Sequence, residues 1–181
     1  MRAVLKANKI LFVCVDIQER LLGLMAHKDE VVRNANILLE SAQILQVPLV
    51  ITEQYPKGLG KTHSAINIPC GVDILEKTSF GIFGDEAIKE YIARSKCKTL
   101  VFFGIESHIC ILQSIVEARN LGYECILAAD ACSSRNGLNH NLALEFFRTL
   151  GVSVLPTESI VFRILGDSTH EHFKAISQLV K

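Results

Sequence analysis

The stretch GIESHICILQS, residues 104–114, sets a cysteine in the first turn of a helix-like pattern that follows an apolar strand, KTLVFFGI. A thiol attacks carbon only as its thiolate, and a helix N-terminus is one of the environments that favours that form. Helical periodicity separates Cys110 from the core side. Ile109, Leu112, Ile115, Val116 and Leu121 make a wide apolar face, whereas Cys110 shares its stripe with Gln113, Ser114 and Glu117. Ser107 fits the N-cap, which puts Cys110 at the third helical position, beside unpaired backbone N–H groups and the positive end of the helix dipole. The competing reading is a structural thiol, because free cysteine commonly behaves as a small buried hydrophobe.

A thiol nucleophile needs a base or a positive neighbour, being mostly protonated at pH 7. Asp16 closes the wholly apolar run ILFVCV and must be solvated or paired; its structural alternative is to cap the short QERLL helix. Lys77 ends VDILEK, and its alternative is an ordinary solvent-facing lysine. Both residues can serve Cys110 only if the ends of their strands meet.

Six short apolar or β-branched runs, at residues 10–16, 47–52, 72–77, 98–105, 123–130 and 152–156, are expected as strands covered on both faces. Helical patterns lie between them, at residues 28–46, 84–95, 108–121 and 138–150, with a last one at 169–180. This alternation predicts an α/β protein: a three-layer α/β/α arrangement with a mainly parallel, Rossmann-like sheet of about six strands. Residues 1–181 read as a single domain, without internal repeat or linker. In such sheets ligands bind beyond the carboxyl ends of the strands, where the strand order reverses. The residues to weigh are therefore Asp16, the Thr52–Glu53–Gln54 run, Lys77, the turn from Glu106 to Cys110, and Asp130. KGLGK, in the loop after the second strand, lacks the spacing of a phosphate loop.

Composition excludes several other classes. The 19 basic residues balance the 19 acidic ones, with no dense Lys/Arg run, so nucleic acid is not expected as a partner. No apolar run approaches the roughly 20 residues of a membrane span. The opening MRAVLKANKI is too short and polar for a secretory signal, which predicts a cytoplasmic protein; its two Lys and one Arg leave a mitochondrial address as the minor alternative. Six cysteines without a CxxC pair indicate reduced thiols and neither a zinc cluster nor a disulfide framework. Cys14 and Cys125, inside strand runs, are expected to be structural.

The ordered segments VCVDIQERLL, ITEQYPKGLG, LEKTSFGIF and VFFGIESHICILQSIVEARNLGYECILAADACSSR, with the tail SIVFRILGDSTHEHFKAIS, resemble the isochorismatase-like cysteine hydrolase superfamily, and in particular its isochorismatase-domain-containing branch. The resemblance runs from residue 9 to residue 177. It implies an Asp-Lys-Cys triad at Asp16, Lys77 and Cys110, with Asp16 the general base, Lys77 the charge partner and Cys110 the nucleophile that forms a thioester. It also implies a non-proline cis peptide between Ile105 and Glu106, and an oxyanion hole built from the backbone N–H groups of Glu106 and Cys110. The activity implied is hydrolysis of a C–N bond in a small amide or related substrate, by a homo-oligomer without a cofactor.

Where nicotinamidases of the superfamily carry an Asp-x-His metal motif, this chain has ITEQYPKGLG, so no metal site is expected. Glu53, Gln54 and Phe80 are candidate pocket residues, and His63 a candidate for the mouth. His108, two positions before Cys110, points about 200° away on a helix and is expected in a supporting or interface role. Arg135 is a candidate partner for a carboxylate within the chain or across a subunit boundary. Two other functions remain open at this stage: a non-catalytic small-molecule-binding oligomer, and an isochorismate-type enol ether hydrolase. Isochorismatases proper typically lack the cysteine, which weighs against the latter.

Overall fold

The computed structural model describes residues 4–181; the first three residues of MRAVLKANKI lie outside them. Six strands form one parallel sheet: β1 (Ile10–Val15), β2 (Leu49–Gln54), β3 (Asp73–Lys77), β4 (Thr99–Ile105), β5 (Glu124–Ser133) and β6 (Ser153–Leu155). Their order is β3-β2-β1-β4-β5-β6. The order reverses between β1 and β4, so the crevice beyond the ends of these two strands is the expected ligand position.

Helices connect and cover the strands: α1 (Glu19–Leu22), α2 (Lys28–Leu45), α3 (Pro56–Leu59), α4 (Glu86–Ser95), α5 (Leu112–Asn120), α6 (Gly137–Thr149), α7 (Thr157–Leu165) and α8 (Phe173–Leu179). Helix α2 packs with α7 and α8, and α5 with α6. The central strands β1, β2 and β4 are buried along their whole length, as their continuous apolar sequences require. Strand β3 differs from the expectation of cover on both faces. It is an edge strand with Asp73, Ile74 and Glu76 exposed, and only Lys77 at its end is buried.

Two deviations from regular geometry shape the crevice. Gly104 has φ 125°, and a Cβ there would run into the carbonyl oxygen of Val15 on the neighbouring strand. Glycine at this position lets β1 and β4 approach just before Asp16 and Glu106. The ladder between β4 and β5 also shifts: Phe102 pairs with Leu127, but Gly104 pairs with Cys132. Strand β5 thus carries extra residues and runs three positions past its expected end at Asp130, which brings Ser133 beside Ile105.

Candidate active site

At the end of β1 the chain leaves the sheet through a left-handed residue, Asp16, with φ 54°. Aspartate tolerates that conformation better than most residues. Its side chain is fully buried and does not cap α1, whose N-cap position is Gln18. It is held instead from two sides: Thr52 Oγ1 donates to Oδ1 at 2.7 Å, and Lys77 Nζ donates to Oδ2 at 2.6 Å.

Lys77 is 2% exposed. The expectation of a solvent-facing lysine fails because every proton of the ammonium finds an acceptor inside the fold. Besides Asp16, Nζ reaches Gln54 Oε1 at 2.7 Å and the carbonyls of Ser79 and Phe80 at 3.2 and 3.1 Å. Gln54 is itself fixed, since its Nε2 donates to the Thr78 carbonyl at 2.7 Å and its backbone N–H donates to Gln18 Oε1 at 2.8 Å. A charge taken out of water needs this degree of pairing.

The third member arrives from β4. The Ile105–Glu106 peptide bond is cis, and residues 107–111 form a π-helical turn that feeds α5. Glu106, not Ser107, occupies the cap position, so Cys110 is the fourth helical residue. Ser107 turns inward: its hydroxyl donates to the Ser133 carbonyl at 3.1 Å and lies 2.9 Å from His140 Nδ1. The Cys110 thiol lies within reach of the Asp16 carboxylate and of Lys77, both of which act on it. Asp16 thus stands between Thr52, Lys77 and Cys110, and the three residues singled out from the sequence form one buried cluster.

Two expectations about Cys110 are corrected here. It is 6% exposed, and Ser114 on its stripe is buried with it, while Gln113 stays exposed. And the thiol is not held as a thiolate in the resting protein. Burial, and after it the Asp16 charge, push it up to about 12; the Lys77 ammonium acts in the opposite sense without overcoming them. The arrangement resembles a base poised to accept a proton more than a preformed anion.

The surrounding turn is tied to β5 and its continuation. Glu106 is buried, its Oε2 accepts the Arg135 backbone N–H at 2.9 Å, and its Oε1 lies 3.7 Å from Arg135 Nε, so Arg135 pairs within the chain. His108 Nδ1 lies 2.9 Å from Ser134 Oγ, a supporting position. The pocket candidates Glu53 and Gln54 both spend their polar atoms on the protein. Glu53 Oε1 accepts from the backbone N–H and hydroxyl of Thr62, at 2.6 and 2.8 Å, and anchors the loop after α3. Phe80 is exposed, with its carbonyl on Lys77, at the rim of the cluster. His63 Nδ1 accepts the Ala65 backbone N–H. Asp130, a strand-end candidate, lies away from the cluster and accepts from the N–H and hydroxyl of Thr157 at the start of α7. Among the described residues no three His, Cys, Asp or Glu side chains are grouped to hold a metal ion.

The sequence reading missed Gln18, Ser114, Ser134 and His140. Gln18 had a usable signal, being a second polar residue just past an apolar strand; Ser134 and His140 are defined only by partners distant in sequence, and Ser114 both by the Cys110 carbonyl one turn back, at 2.6 Å, and by the distant Ile82 N–H.

The sequence pattern of the isochorismatase domain matches residues 10–159. The chain belongs to the isochorismatase family. It is 32% identical over 170 residues to isochorismatase domain-containing protein 1 of Salmo salar, covering 94% of this chain and 60% of that protein. This chain thus spans about 60% of the length of that curated relative. The MAR1 ribonuclease structure from Caenorhabditis elegans superposes with a TM-score of 0.92 at 26% identity, over 98% of this chain and 92% of that one. YcaC of Escherichia coli, an octameric hydrolase of unknown specificity, superposes with a TM-score of 0.86 at 16% identity, over 99% and 90%. The chain has the fold of an isochorismatase-family hydrolase, and no helix among its described residues is long and apolar enough to cross a membrane.

Proposed function

We propose that this chain is a metal-independent cysteine hydrolase that cleaves a C–N bond of a small amide or related substrate through a thioester on Cys110. The observation that carries the reading is the burial of the Cys110 thiol beside a carboxylate, Asp16, already paired with Lys77 at 2.6 Å. Asp16 takes the thiol proton as sulfur bonds to the substrate carbonyl carbon. The charge that develops on the carbonyl oxygen is met by the backbone N–H groups of Glu106 and Cys110 at the start of the helical turn. Collapse of the tetrahedral intermediate breaks the C–N bond, and the leaving amine receives its proton from Asp16. Water, deprotonated by Asp16, then attacks the thioester; the acid leaves and the thiol recovers its proton. Lys77 keeps the pair charge-balanced throughout and holds Asp16 in place.

The burial of Asp16, Lys77 and Cys110 suits a substrate of a few heavy atoms at its reacting end. The same burial disfavours a polynucleotide, although the nematode neighbour carries a ribonuclease name. The ITEQYPKGLG segment offers no metal motif, which supports metal independence. Assembly as a homo-oligomer is part of the proposal. Leu138, Leu142 and Phe146, spaced four apart on α6, are exposed, and the YcaC neighbour is octameric.

The test is turnover of a panel of small primary amides, with intact-protein mass spectrometry to trap the acyl adduct. Parent protein should gain an acyl mass on Cys110 that Cys110→Ser does not form as a thioester. Equal turnover by Cys110→Ser would remove the nucleophile and leave a binding protein of the same fold. Sedimentation of a monomer at micromolar concentration would refute the assembly.

A further inference from the structure

A cavity of about 900 Å³ lies at the opposite pole from Cys110, where β1, β4, β5 and β6 begin. Its floor includes Ile10, Thr99, Cys125 and Ile126, and its rim carries Lys6, Lys9, Lys96, Lys98 and Arg119, with Arg163 also contributing. Glu124 is the single acid of the lining, and it already accepts a hydrogen bond from Thr99 Oγ1 at 3.1 Å. None of Lys6, Lys9, Lys96, Lys98 and Arg119 stands in an ion pair among the described residues. On a chain of zero formal net charge, this is a strong local excess of one sign.

The bland explanation is helix-dipole compensation, since cations favour helix C-termini. It covers Lys96, which ends α4, and Arg119, in the last turn of α5. It does not cover Lys6, Lys9 and Lys98, which precede strands. Lys9 and Lys98 come directly before Ile10 and Thr99, which pair across β1 and β4, and the Lys98 N–H donates to the Lys9 carbonyl. Residues in such register on parallel strands share a face at about 5 Å, where like charges repel. Two lysines that lead into adjacent strands beside an apolar floor suit an anion that binds between them.

We propose that this cavity is a second binding site, for a small organic phosphate of multiple negative charge whose uncharged portion rests on the apolar floor. The concave shape and a volume within the range of small-ligand pockets favour such a molecule over an extended polynucleotide, which needs an open basic stripe. The site is independent of the Cys110 chemistry.

Calorimetric titration with ATP, and separately with inorganic triphosphate, tests the assignment in parent protein, in the double variant Lys9→Ala/Lys98→Ala, and in Lys9→Arg/Lys98→Arg. Saturable one-to-one ATP binding is expected that weakens at least tenfold in the alanine variant, persists in the arginine variant and in Cys110→Ala, and weakens with added salt. Tighter binding of ATP than of triphosphate supports a role for the floor. The proposal is overturned if neither phosphate binds, if the alanine variant binds unchanged, or if a single-stranded RNA oligonucleotide binds at this face while ATP does not. The substituted side chains are exposed, so loss of binding with an unchanged melting temperature reports on the site and not on folding.

Discussion

A rate of alkylation, resolved by residue and by pH, tests the electrostatics of the cluster directly. In the resting protein the Cys110 thiol stands at about 12 against an ordinary 9.0. At pH 8 a thiol at 9.0 is roughly one-tenth ionised and one at 12 roughly one part in ten thousand, a deficit of about 1,000-fold in thiolate. A more basic thiolate is more nucleophilic, and a Brønsted slope of about 0.45 over three units returns about 20-fold. Cys110 is therefore expected to react with iodoacetamide about 50-fold more slowly than free N-acetylcysteine at pH 8, before any effect of access. Its rate should climb about tenfold per pH unit through pH 10. Lys77→Met removes the one neighbouring charge that lowers the thiol and should slow labelling at pH 8. Peptide mass spectrometry of timed samples reads all of this. If Cys110 labels faster than N-acetylcysteine at pH 8, or if Lys77→Met speeds it, the thiol rests as an anion and the electrostatic reasoning fails.

Lys77→Met leaves the buried Asp16 carboxylate without its cation and Gln54 Oε1 without its donor, and should cost about 3–5 kcal/mol in urea denaturation. Thr52→Val keeps the shape but removes the second donor to Asp16; a loss of about 1–3 kcal/mol in the same assay is expected, with amide hydrolysis reduced more in kcat than in KM. Gly104→Ala sets a methyl group against the Val15 carbonyl at a positive φ, and should either fail to yield soluble protein or lower the melting temperature by 10 °C or more; a melting curve within 2 °C of the parent would show that β1 and β4 can separate there at no cost.

The central strands were legible because burial on both faces leaves a simple signature, an unbroken apolar run; the runs at β3 and β6 also became strands, though neither is buried along its length. Where a strand's end depends on its neighbour, the signature stops short. Nothing in AADACSSR marks the register shift that carries β5 past Asp130 to Ser133, because the shift is set by pairing with β4. Helix α7 was missed for another reason. SIVFRIL is rich in β-branched residues and looks like a strand locally, yet its buried positions, Thr157, Ile160, Val161, Ile164 and Leu165, recur with helical spacing. That signal was present in the sequence and outweighed by propensity.

Asp16, Lys77 and Cys110 are each anomalous against their local sequence, and alternation of strands and helices puts the ends of their strands on one edge of a parallel sheet; the order β3-β2-β1-β4 that makes them neighbours is set by pairing and is not in the alternation. The exposure of Cys110 was misread, and the reason is physical. Ser114 and Glu117, on the Cys110 stripe, are polar, and polarity on a helix usually means water. Here the stripe is covered by backbone: the Ile82 N–H donates to Ser114 Oγ at 3.1 Å and the Phe83 N–H donates to Glu117 Oε2 at 3.1 Å. The same segment supplies the Ser79 and Phe80 carbonyls to Lys77. Residues 79–83 therefore tie the lysine at the end of β3 to the helix that carries the thiol, through groups every amino acid possesses. Periodicity reveals which side chains share a face; it contains no information on whether water or a loop's backbone will meet them. A thiol covered in this way loses solvation, and so the segment that ties Lys77 to the helix carrying Cys110 also contributes to the burial that disfavours its thiolate.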